Sequence, residues 1–368
     1  MDHAIPKFTQ HSPTTEALDY VDLVELDLAS FDNSATREKL AEQLLDAVIN
    51  DGFFALSNHG IPEDVYSSQV DLAHAVLSIP DEEKKQYETP PHEDARGRYV
   101  GFKPAGGSSS KACSHKTLDH YNVPAWDLEI RKHPPLLQPY LNQVSTFMEL
   151  IRQKVLSKLL TLVSLVLEVP EERIISTHAP ELETTDYLRY VLYNPRPAND
   201  SQQYRDLYLA GHTDLGSFTF LFSQPVSSLQ IRTLAGDWKW VPYLPGRLIV
   251  NVGEALELMM GGLFRATVHR AVKPPADQER AKRIGVMYFA RPSNGQRLEP
   301  IDSPLLRRMG IDKPLDVKVY TMADYPYARK HGCKRLDFDQ GKPRRQRLQD
   351  MQTDYVDKQP AQEPGITT

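Results

Sequence analysis

His212, Asp214 and His269 are the residues whose types and spacing could do chemistry. Two imidazoles and one carboxylate suit a divalent metal of intermediate hardness such as Fe(II). Three protein ligands on one face leave three coordination positions for substrate and O2. A single residue, Thr213, separates His212 from Asp214. On a strand, side chains i and i+2 emerge on the same side, so this spacing lets both reach one ion. His269 lies 55 positions after Asp214 and must then arrive on a partner strand, which residues 264–272 resemble in texture. An isolated HxD pair carries little weight, and its neighbours in the sequence decide what it means.

The elements that must position these residues follow from the apolar pattern. Residues 1–20 are polar and rich in Pro and Thr, an arm to lie over the surface. Residues 21–130 form an N-terminal region. Its alternating Val21–Leu28 run predicts a half-buried strand, and Ser34 could cap a helix over 36–50 with Leu40, Leu44, Ala47 and Val48 buried. Gly52 ends that helix, residues 53–57 read as a buried strand, and Pro62 starts the next helix at its first position. Residues 88–127 are Gly- and Ser-rich and irregular, too long for a plain connector, and read as either a functional loop or a partly disordered stretch.

Residues 131–330 hold a long spine helix over about 136–168, ended by Val169-Pro170, and then a change of texture. Short strand-like runs at 187–193, 217–222, 228–232, 238–241, 248–252, 266–272 and 284–290 are separated by Gly, Pro and Asn, with one helix at 254–260. That spacing argues for a closed or double-sheet antiparallel structure. Residues 196–211 read as a loop. Short helices follow beyond 300, and 331–368 is a polar tail whose basic run, Lys342 to Arg347, reads as solvated.

The 368 residues carry a formal charge of −6, which gives no general attraction to nucleic acid or an anionic membrane. No apolar stretch approaches the roughly 18 residues of a membrane span, and no obligate protein partner is indicated. Two cysteines, Cys113 and Cys333, cannot build a disulfide framework, which favours a reducing, cytoplasmic setting. His59 reads as a turn residue. His3, His11, His115, His133 and His331 sit in polar, loop-like contexts without ligand spacing.

Several ordered motifs accompany the triad. Residues 52–62 (GFFALSNHGIP), 212–219 (HTDLGSFT) followed by Leu229-Gln230, 251–257 (NVGEALE) and 268–270 (VHR) resemble those of the isopenicillin N synthase-like 2-oxoglutarate/Fe(II)-dependent dioxygenases. Glu254 stands where that family carries Asp. The resemblance runs from about residue 21 to 330. It implies an α+β chain with a double-stranded β-helix (jelly-roll, cupin-like) core, flanked by N-terminal helices, the spine helix and C-terminal helices. It further implies Fe(II) held by His212, Asp214 and His269. Substrate oxidation by O2 would be coupled to conversion of 2-oxoglutarate to succinate and CO2, with ascorbate as a candidate reductant.

The same resemblance implies a cation for the far carboxylate of 2-oxoglutarate, on the strand after the distal His in an Arg-x-Ser motif. Arg283 takes that place, with Arg280 as competitor. A guanidinium suits the role because it forks onto a carboxylate through two hydrogen bonds. Gly285 stands where the family has Ser, so one hydrogen bond to the carboxylate is missing. Tyr193 is the expected second polar partner, with Tyr190 facing the other way by strand parity. Leu221 and Leu229 either wall the cosubstrate or belong to the core.

Candidate substrate contacts are Tyr99, Phe102 and Tyr121 from the 88–127 segment, the 196–211 loop, and Arg189, Phe289 and Arg291. The aromatics suggest a small hydrophobic or aromatic molecule, and Arg189 or Arg291 could read an acid or a phenol. The chain is similar to fungal members that serve secondary metabolism. Two alternatives remain: a same-fold Fe(II) oxidase that uses no 2-oxoglutarate, favoured only by Gly285, and an inactive small-molecule binder, against which the intact triad argues.

Overall fold

The computed structural model describes residues 5–103, 118–179, 181–195, 206–313 and 318–333. The described residues form twelve strands, with most helices before β5: β1 (Glu25–Asp27), β2 (Phe53–Ser57), β3 (Gly101–Phe102), β4 (Leu118–Pro124), β5 (Tyr187–Tyr193), β6 (Leu207–His212), β7 (Phe218–Phe222), β8 (Leu229–Arg232), β9 (Trp238–Trp240), β10 (Leu248–Val252), β11 (His269–Val272) and β12 (Arg283–Ala290). They form an eight-stranded sheet, ordered β1-β2-β10-β7-β12-β5-β4-β3, and a four-stranded sheet, ordered β6-β11-β8-β9. Among these strands only the β1–β2 pair is parallel. This is the jelly-roll core of a double-stranded β-helix.

Strand parity divides the large sheet into two faces. Leu188, Tyr190, Leu192, Val286 and Tyr288 belong to the main core, together with the Ser34–Asn50 and Glu63–Leu77 helices and the spine. Tyr187, Arg189, Val191 and Tyr193 alternate with them, directly opposite Phe289, Met287, Gly285 and Arg283 of β12. This second face looks toward the small sheet, and the site lies between the two.

Several local expectations need correction. The strand expected over Val21–Leu28 shrinks to Glu25–Asp27, because Asp27 caps a turn of 3-10 helix over Leu28–Ser30. The first helix starts at Ser34, capped by the Asn33 side chain, which accepts from the backbone N–H groups of Ala35 and Thr36. Pro62 is the N-cap of the next helix, outside its first turn. The spine runs as Leu141–Ile151 and Ser157–Leu167, joined by a π-helical turn at Arg152–Leu156. That turn delivers Arg152 to the fully buried Asp186.

The 88–127 segment is not a free loop. It contributes a short helix and both β3 and β4 to the large sheet, while 104–117 lies outside the described residues. Most of the basic tail lies outside them as well. In the strand expected over 264–272, only the end from His269 to Val272 pairs.

Candidate active site

Strand β6 lies in a stretch that reads as loop in the sequence, and it carries His212 as its last residue. The i, i+2 argument therefore fails in detail, because Asp214 lies beyond the strand, in the turn before β7. What turns Asp214 back toward His212 is the start of the Glu254–Met259 helix. The Glu254 N–H donates to the Asp214 carbonyl at 2.7 Å, and the Gly253 N–H to the Ser217 carbonyl at 2.8 Å. Gly253 is required here, since a Cβ would lie 2.3 Å from the Gly216 carbonyl oxygen. His269 begins β11 and is paired with His212 across the antiparallel ladder.

The ligand atoms of these three residues lie within 4.8 Å of one another. His212 Nε2 is 3.8 Å from Asp214 Oδ1, and His269 Nε2 is 3.9 Å from Asp214 Oδ2. Each imidazole donates its Nδ1–H to a backbone carbonyl two residues back: Ala210 at 3.0 Å for His212 and Thr267 at 3.1 Å for His269. Those bonds fix the tautomer and leave both Nε2 lone pairs facing the carboxylate. Asp214 Oδ2 accepts from Thr219 Oγ1 at 2.6 Å and Asn251 Nδ2 at 2.8 Å.

Burial and the neighbouring His269 push His212 down to about 4, so its ring is neutral at pH 7. Burial opposes ionisation of Asp214, but the two imidazoles and its two hydrogen bonds outweigh it and lower the pKa. Two imidazoles and one carboxylate within ligand reach fit a divalent cation.

A second layer locks this arrangement. Thr213, between the two proximal donors, donates its hydroxyl to the carboxylate of Glu254, which is buried. The same carboxylate accepts from Tyr325 Oη at 2.6 Å and from Arg329 Nε at 2.8 Å, both on the Tyr325–Lys330 helix. Asn251, Thr219 and Glu254 lie within the motifs that carry the resemblance, but their roles require the β10–β7 register, which pairs Asn251 with Thr219.

Arg283 is buried at the start of β12, with its guanidinium carbon 4.9 Å from the Tyr193 ring centroid. Burial lowers the Arg283 pKa, and the Tyr193 hydroxyl partly offsets this by hydrogen bonding. Arg280, the competitor, is exposed. Tyr190 points to the helical side and donates to Gln69 Oε1 at 2.6 Å. Leu221 and Leu229 stand on the inner faces of β7 and β8, beside Phe53, Ile231 and Ile249.

Four of the six candidate substrate residues come together. The guanidinium carbon of Arg189 lies 5.5 Å from the Tyr99 ring centroid and 4.8 Å from that of Phe289. Arg291 lies 5.6 Å from Tyr99. Tyr187, not anticipated, stacks on Phe289 at 4.5 Å. Arg189 Nε donates to Asn122 Oδ1 at 2.7 Å, and its charge helps to keep His212 unprotonated.

Phe102 and Tyr121 are corrections. Both are buried in the main core with rings 4.5 Å apart, and Tyr121 donates to His133 Nδ1 at 2.6 Å. His133 is likewise a buried structural residue rather than a polar loop residue. The expected 196–211 loop lies outside the described residues up to 205.

Two family models match the chain: the 2OG-Fe(II) oxygenase superfamily over residues 186–292, and the non-haem dioxygenase N-terminal region, described for morphine synthesis, over 21–140. The chain belongs to the 2OG-Fe(II) oxygenase superfamily. It is 28% identical to leucoanthocyanidin dioxygenase 1 of Oryza sativa subsp. japonica over 79% of this chain and 76% of that one. Scopoletin 8-hydroxylase of Arabidopsis thaliana is 23% identical over 91% and 88%.

The structure of a full-length Neurospora crassa protein in complex with alpha-KG and thymine superposes with a TM-score of 0.69 at 17% identity, covering 84% of this chain and 96% of that one. The protein is thus a 2-oxoglutarate-dependent dioxygenase, an oxidoreductase that uses Fe(II). Among the described residues, no helix is long and apolar enough to cross a membrane.

Proposed function

We propose that His212, Asp214 and His269 hold the Fe(II) of this oxygenase, and that Arg283 and Tyr193 bind the far carboxylate of 2-oxoglutarate. The observation that carries this reading is the convergence of three ligand atoms within 4.8 Å, with both Nδ1 atoms committed to backbone carbonyls. Bound there, Fe(II) supplies O2 activation and the oxidative decarboxylation of the 2-oxo acid. The chain's own residues do the positioning. Asp214 stays ionised through Thr219 and Asn251, and Arg283 offers a fork that fixes which end of the cosubstrate faces the metal. Leu221, Leu229 and Val191 keep water from the space between.

The substrate in this reading is a small ring compound with an acidic or phenolic oxygen. Tyr99, Tyr187 and Phe289 provide flat apolar surface, and Arg189 is the residue to meet the oxygen. Arg291 serves instead as a brace, because it donates to Thr185 and its backbone N–H to Asp186. The names of the relatives support this class, since leucoanthocyanidin, scopoletin and thymine are all oxygenated rings. A role in secondary metabolism in the cytosol accords with it.

The test is anaerobic titration of the Fe(II)-loaded protein with 2-oxoglutarate, followed by the weak visible charge-transfer band of a chelated 2-oxo acid. A saturable band, lost in His212→Ala, is the expected result. A band that survives in His212→Ala, Asp214→Ala and His269→Ala alike would move the metal elsewhere.

A further inference from the structure

Gly285 stands where the resembling family has the serine that accompanies the anchoring arginine, and the residues around it bear on what could take that serine's place. Gly285 pairs with Val191 on β5, and a Cβ at Gly285 would lie 2.6 Å from Val191 Cγ1. Serine therefore cannot stand there unless Val191 moves. From the same point, Gln224 Nε2 is only 3.6 Å away. An amide nitrogen already occupies the neighbourhood that a serine hydroxyl would serve.

Gln224 is held in place from both sides. The Ser223 N–H donates to the Arg247 carbonyl, and the Pro225 carbonyl accepts from Gln278 Nε2 at 2.9 Å. Gln224 and Arg283 line one narrow cleft, bordered by Phe8, Gln10 and His11 of the N-terminal arm. Both amide atoms of Gln224 and the Nε of Arg283 are buried without a hydrogen-bond partner among the described residues. Unsatisfied polar atoms at this depth are costly, so each needs a partner, a water or a ligand group.

We infer that Gln224 donates its amide N–H to the far carboxylate of 2-oxoglutarate, beside Arg283, in place of the missing serine. This rests on the assignment of Arg283 as the anchor. It makes Gly285 a relocation of one hydrogen bond from β12 to the β7–β8 turn.

The experiment compares 2-oxoglutarate with pyruvate, a 2-oxo acid that lacks the far carboxylate, in anaerobic titrations of the Fe(II)-loaded full chain. Gln224→Ala is expected to weaken 2-oxoglutarate binding roughly tenfold, as loss of one hydrogen bond to a charged group does. Pyruvate binding should not change. Adding Gly285→Ser with Val191→Ala to Gln224→Ala should recover most of the loss. If Arg283→Ala weakens 2-oxoglutarate while Gln224→Ala does not, the Gln224 inference falls and the anchor stands. If neither variant weakens it, the anchor itself is misplaced. Equal weakening of both acids by Gln224→Ala would mean general damage to the site and would also overturn the inference.

Discussion

Around the three converging donors the neighbouring polar atoms are committed, whereas around Arg283 several are not. At the donor end, both Nδ1 atoms, Asp214 Oδ2, Thr213 and Glu254 all have partners within the protein. At the anchor end, Arg283 Nε and the whole Gln224 amide have none among the described residues. The first region is completed by the fold before any cosubstrate arrives, so it is built to hold geometry. The second keeps open hydrogen-bonding capacity, which the proposed cosubstrate site would use. Preorganisation at one end and unmet hydrogen-bonding capacity at the other are what the proposed site needs to orient an asymmetric acid.

The largest effect that would break this contrast is at the metal. His212→Ala or Asp214→Ala should abolish iron-dependent turnover, measured as succinate release. Next comes the support of the preorganised end. Arg329→Ala leaves the buried Glu254 short of its cation and should cost about 3 kcal/mol in unfolding free energy, seen in a urea titration. Arg283→Ala should raise the 2-oxoglutarate requirement about a hundredfold, from the loss of a charge-assisted pair. Normal turnover at low 2-oxoglutarate would remove the anchor assignment.

Asn251→Ala should weaken iron binding by about 10- to 100-fold while leaving 2-oxoglutarate affinity per loaded site nearly unchanged. An equal loss of both affinities would erase the distinction between the ends.

The smallest expected effect concerns pH. His178 donates or accepts between Thr177 and Ser217, and burial pushes it down to about 3. The unfolded chain takes up this proton near the ordinary histidine value, so stability is full above about pH 6.5. It should decline as pH falls from there toward 3. The drop in melting temperature between pH 7 and pH 5 should be smaller in His178→Asn than in the natural chain.

The donor triad was legible because ligand types and motif spacing are local properties of the chain. The strand that delivers His212 was not, since Leu207-Tyr208-Leu209-Ala210-Gly211 is short and follows a polar stretch. Strand parity also separates what was found from what was missed. Tyr121 looked like a pocket aromatic, yet the β4–β5 register sends Tyr121 to the helices and Asn122 inward to Arg189. A one-residue difference in facing reverses the role, and sequence alone does not fix it for an interrupted segment. Gln224 escaped notice because its significance depends on Gly285 and Val191, distant in sequence and adjacent only through the sheets.

Glu254 ties the residue between the two proximal donors to a helix more than seventy positions later. A chain is made from its N-terminus, so both sheets and all three donors exist before Arg329 does. An interrupted product has every ligand atom but keeps a buried carboxylate without its arginine partner. Such a product is marginal and exposed to proteolysis. The last described helix thus supplies the final partners of the shell behind Thr213, so that shell is complete only once this helix has been made and docked.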